Sequence, residues 1–223
     1  MFVSTIIAAG GTGSRLGKSG GKQLLDLGGR PIVLRSLEKM LPFSDEVIIV
    51  IAEGDVPRLK EALERHGLEK KVKEIVPGGA TRARSVHAAF KKVSQRADIV
   101  CIHDGVRPFV EPADVRKVIA EAEKHGAAVL CTRVKDTIKQ ENAGFVAATP
   151  QRAVLWSAQT PQVIKKSLLD EAYRTLKDWD EVTDDVALVE MLGKPVKIIQ
   201  GSYRNMKITT HEDLIMAEAF LKG

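Results

Sequence analysis

The chain alternates short apolar segments, rich in β-branched residues, with longer segments of helical periodicity. Short apolar runs with many β-branched side chains are typical of strands, and apolar side chains repeated every three or four residues are typical of helices. Strands that are each followed by a helix predict a mostly parallel sheet covered by helices on both faces. The predicted fold class is therefore α/β.

The alternation predicts six strands and seven helices. The strands are predicted at residues 2–8, 46–52, 72–76, 99–103, 127–132 and 196–200. The helices are predicted at residues 31–40, 56–66, 81–93, 112–125, 165–176, 183–192 and 211–221. Pro112 opens the helix predicted at 112–125, and Gly67 and Gly126 follow the helices predicted at 56–66 and 112–125, as is typical of helix ends.

Residues 135–156 interrupt the alternation. Two strand-like runs, at 137–139 and 145–148, flank the turn-rich sequence Glu-Asn-Ala-Gly. An isolated hairpin is only marginally stable in water, so this one must pack on something. It is either a flap on its own sheet or an arm that clasps a second subunit. The chain has 223 residues, of which 44% are apolar, so we predict one domain, 1–223, with this arm as an appendage.

Composition narrows the classes of partner. The net charge of +5 fits a polyanionic substrate, nucleic acid or a plain charged surface. Aromatic residues are only 4% of the chain and do not alternate with basic ones, so nucleic acid is not expected. No apolar stretch approaches a membrane span, and no basic segment precedes the first apolar run. Cys101 and Cys131 lie in strand-like runs and imply no disulfide, so we expect a cytoplasmic protein without a membrane partner.

Residues 8–23, AAGGTGSRLGKSGGKQ, follow the first predicted strand and contain six glycines. They miss two known phosphate-binding motifs, because Thr12 replaces the first glycine of a Walker A loop and Leu16 the third of a dinucleotide loop. Backbone amides in a glycine-rich loop can still bind an anion, and Arg15, Lys18 and Lys22 add positive charge. The loop suits a triphosphate better than a monophosphate.

Three unusual loops follow predicted strands: AAGGTGSR, PGGATRARS and HDGVRPF. Sheets of this class bind ligands at the carboxyl ends of their strands. We therefore expect the three loops to converge on one crevice.

Seven segments in order also carry a family resemblance. AAGGTGSR followed by Lys22 and Gln23 resembles the start of the sugar-nucleotide pyrophosphorylase and cytidylyltransferase superfamily. The later segments are similar to the 2-C-methyl-D-erythritol 4-phosphate cytidylyltransferase family of the non-mevalonate isoprenoid pathway. These segments are GGATRARSV, HDGVRPF, VKDTIK, QRAVLWSAQTPQ, EVTDD and NMKITTHEDL. The resemblance runs from residue 3 to about residue 221.

The resemblance implies a reaction and an assembly. CTP and 2-C-methyl-D-erythritol 4-phosphate would give 4-diphosphocytidyl-2-C-methyl-D-erythritol and pyrophosphate, by in-line attack of a phosphate oxygen on the α-phosphorus of CTP. The resemblance further implies a Rossmann-like doubly wound fold, magnesium held mainly by the CTP phosphates, and a homodimer joined through the hairpin arm.

The resemblance also implies which residues form the site. Those implied to be catalytic are Arg15, Lys22, Arg152 and Lys207. The first two would stabilise charge at the triphosphate, and the last two would hold the incoming phosphomonoester. Further substrate contacts are implied for Asp104, Thr137, Thr160 and Thr183. The CTP cradle is implied to be Ala8, Ala9, Gly10, Gly11, Gly13, Gly78, Gly79 and Ser85. Asp104 is also the expected metal neighbour, and exchanged arms would place Thr137 and Arg152 in the partner's site.

Some of these residues also fit plainer roles. Thr183 precedes two aspartates, which is a helix-capping signature. Asp104 could form a turn after its strand, and Arg152 could be a solvated arginine. His103 at a strand end is more typical of a structural histidine than of an acid or base.

The sequence departs from the family pattern at three positions. Gly21 stands where proline is usual, so we expect a more mobile loop and a less fixed Lys22. Arg204 replaces an aspartate, which removes any polar or metal role of that carboxylate. Ala80 replaces an acidic residue of some relatives, and with it a side-chain contact to the nucleoside.

Three other functions compete with this assignment. A cytidylyltransferase of the same fold could act on ribitol 5-phosphate, which is also a linear polyol phosphate. A nucleotide-binding regulator is disfavoured, because it would not need Arg152 and Lys207 as an acceptor clamp. A dinucleotide oxidoreductase is disfavoured by Leu16 and by the absence of an acidic residue at 28–36.

Overall fold

Strands and helices alternate along most of the chain, as predicted. The computed structural model describes residues 1–10 and 21–222. The strands are β1 (Val3–Ala9), β2 (Glu46–Ile51), β3 (Glu74–Pro77), β4 (Ile99–Asp104), β5 (Ala127–Arg133), β6 (Gln140–Asn142), β7 (Phe145–Ala148), β8 (Trp156–Lys165) and β9 (Lys197–Gln200). The helices are α1 (Ile32–Met40), α2 (Val56–Arg65), α3 (Arg82–Phe90), α4 (Pro112–His125), α5 (Lys166–Thr175), α6 (Ala187–Met191) and α7 (His211–Lys222).

Seven of the strands form one sheet in the order β3-β2-β1-β4-β8-β5-β9. β8 runs antiparallel to its neighbours β4 and β5, and the other neighbouring pairs are parallel. This arrangement confirms the predicted mostly parallel sheet. The carboxyl ends of β1, β3 and β4 consequently lie at one edge of the sheet.

Helices cover both faces of the sheet. Ile6 and Ile7 are adjacent in β1 and point to opposite faces, so each belongs to a different core. Ile7 packs in a core with residues of α1, α2 and α4. Ile6 packs in a core with residues of α3, α5 and α6. The apolar side chains of β1 are thereby used on both faces, as expected of a central parallel strand.

The strand β8 is absent from the predicted strands although it lies inside the sheet. Polar residues and Pro161 interrupt its sequence, WSAQTPQVIK, so it lacks the apolar run that marks the other strands. The structure satisfies the polar groups internally. The buried Gln162 side chain, for example, accepts hydrogen bonds from the backbone N–H groups of Asp185 and Val186.

β6 and β7 form the predicted hairpin as a separate two-stranded sheet. β7 occupies the predicted 145–148, but the first strand is corrected from 137–139 to Gln140–Asn142. Ala143 and Gly144 both have positive φ angles, of 52° and 84°, and form a tight turn that pairs Asn142 with Phe145. The tight turn brings strand pairing closer to the tip than the four-residue turn assumed from the sequence.

Within residues 1–10 and 21–222, no helix is both long and apolar enough to cross a membrane.

The Glu46 carboxylate joins four parts of the structure. Its Oε1 accepts hydrogen bonds from Ser4 Oγ at 2.6 Å and from Ser94 N at 2.7 Å. Its Oε2 lies 2.6 Å from Lys73 Nζ. Burial acts to raise the pKa of this carboxyl, but the hydrogen bonds from Lys73, Ser4 and Ser94 outweigh burial and lower the pKa below its ordinary value.

We expect Glu46→Gln to lower the free energy of unfolding by about 1–3 kcal/mol at neutral pH, since an ionised acceptor with three donors is lost. A carboxyl whose pKa is lowered by folding stabilises the protein above its ordinary pKa of 4.5, and this contribution is lost as the pH falls. Chemical denaturation of both proteins should therefore show a difference that is constant above about pH 5 and shrinks in more acidic buffer. A difference independent of pH would contradict the role of the charge.

Candidate active site

The described residues of the loops after β1, β3 and β4 converge on one cavity of about 270 Å³ at the carboxyl edge of the sheet. The described residues that line it are Ala8, Ala9, Gly10, Lys22, Gln23, Gly79, Ala80, Thr81, Arg82, Ser85, Asp104, Val106 and Lys207. The convergence predicted from the three unusual loops is therefore observed.

The apolar end of β1 and the loop before α3 form a narrow backbone cradle. Ser85 Oγ donates to the Thr81 carbonyl at 2.8 Å and accepts from the Gly79 N–H at 3.0 Å. A Cβ at Gly10 would lie 3.2 Å from this hydroxyl, and one at Gly78 would lie 3.1 Å from it. Glycine therefore lets the two segments approach Ser85 closely. Gly78 belongs to the cradle but is not among the lining residues, whereas Gly10, Gly79 and Ser85 line the cavity itself.

The Asp104 carboxylate at the end of β4 lies among three cations. Its Oδ2 is 2.9 Å from Lys207 Nζ and 3.3 Å from Arg107 Nε, and its Oδ1 is 3.4 Å from Arg82 Nη2. Burial acts to raise the pKa of this carboxyl, but the charges of Arg82, Lys207 and Arg107 outweigh burial and hold the pKa well below its usual value. Asp104 is thus ionised and binds side chains, which is more than a turn residue does.

His103 and Thr160 support Asp104 from inside the protein. The Asp104 N–H donates to Thr160 Oγ1 at 2.9 Å, and Thr160 Oγ1 lies 3.0 Å from His103 Nδ1. His103 Nε2 lies 3.0 Å from the Arg107 carbonyl oxygen. Burial lowers the pKa of His103 to about 4, so the ring is neutral, Nε2–H donates to the carbonyl and the Thr160 hydroxyl donates to Nδ1. His103 is a structural histidine, and the Thr160 hydroxyl is directed to β4.

Asn205 places Lys207 in the cavity wall. The Asn205 side chain is fully buried and its Nδ2 donates to the Thr160 carbonyl at 2.8 Å. The backbone carbonyl of Asn205 accepts from Arg107 Nη1 at 2.7 Å. Arg204, at the position where the family pattern has aspartate, does not line the cavity: its guanidinium carbon lies 5.2 Å from the centroid of the Phe220 ring.

Gly21 precedes Lys22 in a left-handed conformation, with φ +69°. The ring of proline fixes φ near about −65°, so the proline usual in the family does not fit this backbone. A Cβ at this position would also lie 2.8 Å from Arg58 Nη1 and 3.0 Å from Asp55 Oδ1. Lys22 follows in a short 3-10 turn and lines the cavity. The greater mobility expected of the loop stays a prediction.

The two predicted residues of the arm lie away from the cavity of their own chain. Thr137 and Arg152 are exposed, and neither is among the lining residues. Arg152 Nη1 donates to the Lys135 carbonyl at 2.8 Å, a contact within the base of the arm.

Thr183 is exposed and also lies outside the described lining. The helix predicted from residue 183 begins at Ala187 instead, because Asp184 Oδ1 accepts a hydrogen bond from the Ala187 N–H at 3.1 Å. The capping role suggested for Thr183 therefore falls to Asp184.

Of the predicted site, Gly11, Gly13 and Arg15 lie outside the described residues, as does Lys18. Arg82, which the sequence analysis did not single out, lines the cavity and contacts both Asp104 and Asp185. A signal for it was present: Arg82 is the first residue of α3, where the helix dipole disfavours a cation.

The residues around Asp104 restrict how a metal could bind. In the described part of the chain, no group of three or more His, Cys, Asp and Glu side chains could hold a metal ion. Asp104 is the acidic residue among the described lining, and its oxygens already contact three cations. Mg²⁺ usually binds one or two carboxylates together with substrate phosphates. The donor set thus fits a cation that arrives with a triphosphate and does not fit a separate metal centre.

The fold and the cavity together define a class of enzyme. A glycine-lined backbone cradle at the carboxyl ends of parallel strands suits a nucleotide, and Lys22 and Lys207 offer positive charge to its phosphates. These features are those of an α/β nucleotidyltransferase.

Comparison with known sequences gives the family. The family model for 2-C-methyl-D-erythritol 4-phosphate cytidylyltransferase matches residues 3–223. Relatives of that name from Desulforamulus reducens and Geobacter metallireducens are each 42% identical to this chain. The matches cover 99% and 100% of this chain, and 96% and 98% of the relatives. The chain belongs to the 2-C-methyl-D-erythritol 4-phosphate cytidylyltransferase family.

Solved structures agree with this assignment. The 4-diphosphocytidyl-2C-methyl-D-erythritol synthase of Anaerococcus prevotii is similar with a TM-score of 0.84 and 33% identity, over 100% of this chain and 99% of its own. The 2-C-methyl-D-erythritol 4-phosphate cytidylyltransferase of Thermus thermophilus is similar with a TM-score of 0.82 and 31% identity, over 100% of both chains. The Rossmann-like fold class is confirmed.

We expect Thr160→Val to lower the free energy of unfolding by about 1–3 kcal/mol, because the buried Asp104 N–H and His103 Nδ1 both lose their partner. Thr160→Ser keeps the hydroxyl and is the matched control, which should stay close to the wild type. Urea denaturation measures the difference. Equal stability of the valine and serine variants would contradict the role given to the hydroxyl.

Proposed function

We infer that this chain transfers the cytidylyl group of CTP to 2-C-methyl-D-erythritol 4-phosphate, giving 4-diphosphocytidyl-2-C-methyl-D-erythritol and pyrophosphate. Membership of the family over residues 3–223 assigns the reaction. The observation that supports a site for this reaction is the cavity, in which a backbone cradle and the cations Lys22 and Lys207 lie together.

The reaction requires positioned substrates and positive charge, and it does not require a nucleophilic side chain. An oxygen of the acceptor phosphate attacks the α-phosphorus of CTP in line with the departing pyrophosphate, and negative charge grows on the surrounding oxygens. Cations that are already oriented lower the barrier to such a transfer. In our proposal Lys22 and Arg15 stabilise the charge at the triphosphate, and Lys207 holds the acceptor phosphate.

The nucleoside is proposed to lie in the cradle formed by residues 8–10 and by the loop before α3. Ser85 closes the cradle and is itself held by the Thr81 carbonyl and the Gly79 N–H. The base is therefore recognised mainly by backbone groups. Ala80 lines the cavity with a methyl group, so no side-chain hydrogen bond to the nucleoside comes from that position.

Magnesium is proposed to be held chiefly by the triphosphate, with Asp104 as the nearby carboxylate. When bound, Mg²⁺ supplies positive charge to the phosphate oxygens. The support for this arrangement is the donor set described above, which offers one carboxylate at the cavity.

A homodimer joined through the arm is also proposed. Every residue of β6 and β7 is exposed, including Phe145 at 78% and Val146 at 65%. Large apolar side chains on a bare two-stranded hairpin favour a covering partner. Exchange of arms between two copies would bring Thr137 and Arg152 to the cavity of the other subunit, where the family resemblance expects them.

The choice of acceptor is tested by supplying CTP and Mg²⁺ with either 2-C-methyl-D-erythritol 4-phosphate or ribitol 5-phosphate and measuring pyrophosphate release. We expect turnover with the first acceptor, because the relatives named above carry that name. Ribitol 5-phosphate, the alternative, is not favoured. Turnover with ribitol 5-phosphate alone would overturn the assignment.

The arm exchange predicts complementation between two impaired variants. Lys22→Ala should lower turnover by about 10², the scale for losing one oriented charge donor. Arg152→Ala should raise the KM for the acceptor and leave CTP affinity nearly unchanged. In a mixed dimer, one site combines an intact Lys22 with an intact Arg152 from the other subunit.

Refolding the two variants together should therefore restore about one working site per mixed dimer, measured as specific activity against each variant alone. Arg174→Ala, on an exposed turn of α5, serves as a neutral partner for the mixing control. Absence of recovery on mixing Lys22→Ala with Arg152→Ala would count against arm exchange.

A further inference from the structure

Five charged side chains form a connected cluster at one wall of the cavity: Asp104, Arg107, Lys207, Arg82 and Asp185. We propose that Arg82, held by the buried Asp185, is a positioning residue that fixes the Asp104 carboxylate and thereby directs Lys207 to an anionic substrate. The proposal deepens the function proposed above and rests on it.

Asp185 is a rigid support for Arg82. Its carboxylate accepts from Arg82 Nη2 at 2.7 Å, and its side chain is 2% exposed. Its backbone N–H donates to Gln162 Oε1 at 2.7 Å, and Gln162 is a buried residue of β8. Asp185 is therefore fixed to the sheet, and it holds the Arg82 guanidinium at a defined place in the cavity wall.

The same Arg82 nitrogen connects Asp185 to Asp104. Nη2 lies 2.7 Å from one carboxylate and 3.4 Å from the other. Asp104 then holds Lys207 Nζ at 2.9 Å on its opposite oxygen. Arg82 thus acts on Lys207 through Asp104, and the chain of contacts runs from the protein interior to a cation that lines the cavity.

The charges of the cluster explain why the reaction needs Arg82. Two carboxylates and three cations leave a net charge of +1, so the wall attracts a phosphate. Without Arg82 the cluster is neutral, and Asp104 keeps only Lys207 and Arg107 as its cationic partners within the cluster. The ammonium group is then less available to a phosphate, because it neutralises Asp104 instead.

Arg84 offers a matched control on the same helix. It contacts Asp180 at 2.7 Å and so joins α3 to the segment before α6, just as Arg82 does. Arg84 is not among the described lining residues, and its side chain is 58% exposed. If activity depends only on the contact between α3 and the segment before α6, Arg84→Gln should lower it as much as Arg82→Gln does.

The test is a double-mutant cycle between Arg82→Gln and Lys207→Gln, with Arg84→Gln as the control. We expect Arg82→Gln to lower kcat/KM for the acceptor by about 10–100-fold, since a small displacement of a charged group has effects of this size. Arg84→Gln should stay within about twofold of the wild type. In the Lys207→Gln background the loss on adding Arg82→Gln should nearly disappear, because Arg82 acts through Lys207.

Losses that multiply in the double variant, or equal losses for Arg82→Gln and Arg84→Gln, would overturn the proposal. If Arg82→Gln does not fold, Asp185→Asn keeps the side-chain shape and should give a loss in the same direction. Arg82→Lys should recover part of the activity, because it restores the charge but contacts the two carboxylates less well than a guanidinium.

Turnover of the wild type separates this proposal from the function on which it rests. Wild-type activity with either polyol phosphate allows the cycle to be measured with that acceptor. If the wild type turns over neither, the assigned reaction fails, and the same cycle is measured as affinity for inorganic phosphate, the anion that Lys207 is proposed to bind, by calorimetry. Coupling between Arg82 and Lys207 in that affinity would support the positioning role, and independent effects would overturn it.

Discussion

A buried carboxylate organises the cavity, since a charge removed from water must be paired. Asp104 is 4% exposed, and its cations come from three separate parts of the chain: the start of α3, the loop after β4 and the segment before α7. The guanidinium of Arg107 also binds the carbonyl of Asn205, which joins two of these parts directly. Pairing one charge therefore requires distant segments to meet at the end of β4.

The sequence predicts most of the fold because its strands carry apolar, β-branched runs that few other elements share. The exception, β8, shows the limit of that signal. The polar Gln162 is buried there and bonded to the backbone of residues 185 and 186, a pairing between distant segments that no local pattern reveals. The shift of β6 has a local cause, the positive φ of Ala143. An alanine in the sequence does not predict a positive φ.

Loop position and family resemblance together predict Asp104 and Lys22 at the cavity, whereas Lys207 is predicted from the resemblance alone, and all three line it. The sequence does not single out Arg82, because the GGATRARS motif is recognised by its glycines and its serine. The sequence predicts Thr160 as a substrate contact, which stays a prediction, and does not predict that its hydroxyl bonds to the Asp104 N–H and His103. Such partners follow from strand pairing, so they emerge only from three-dimensional structure.

The strand β8 has a further consequence, because it begins directly after the arm and carries Thr160 into the sheet. It pairs with β5 at residues 156–158 and again at 162–164, with an irregularity between them, and with β4 at residues 162–165. The base of the arm and the hydroxyl that accepts from the Asp104 N–H therefore belong to one strand, with no loop between them. A displacement of the base of the arm would therefore reach the backbone of Asp104 within a single strand.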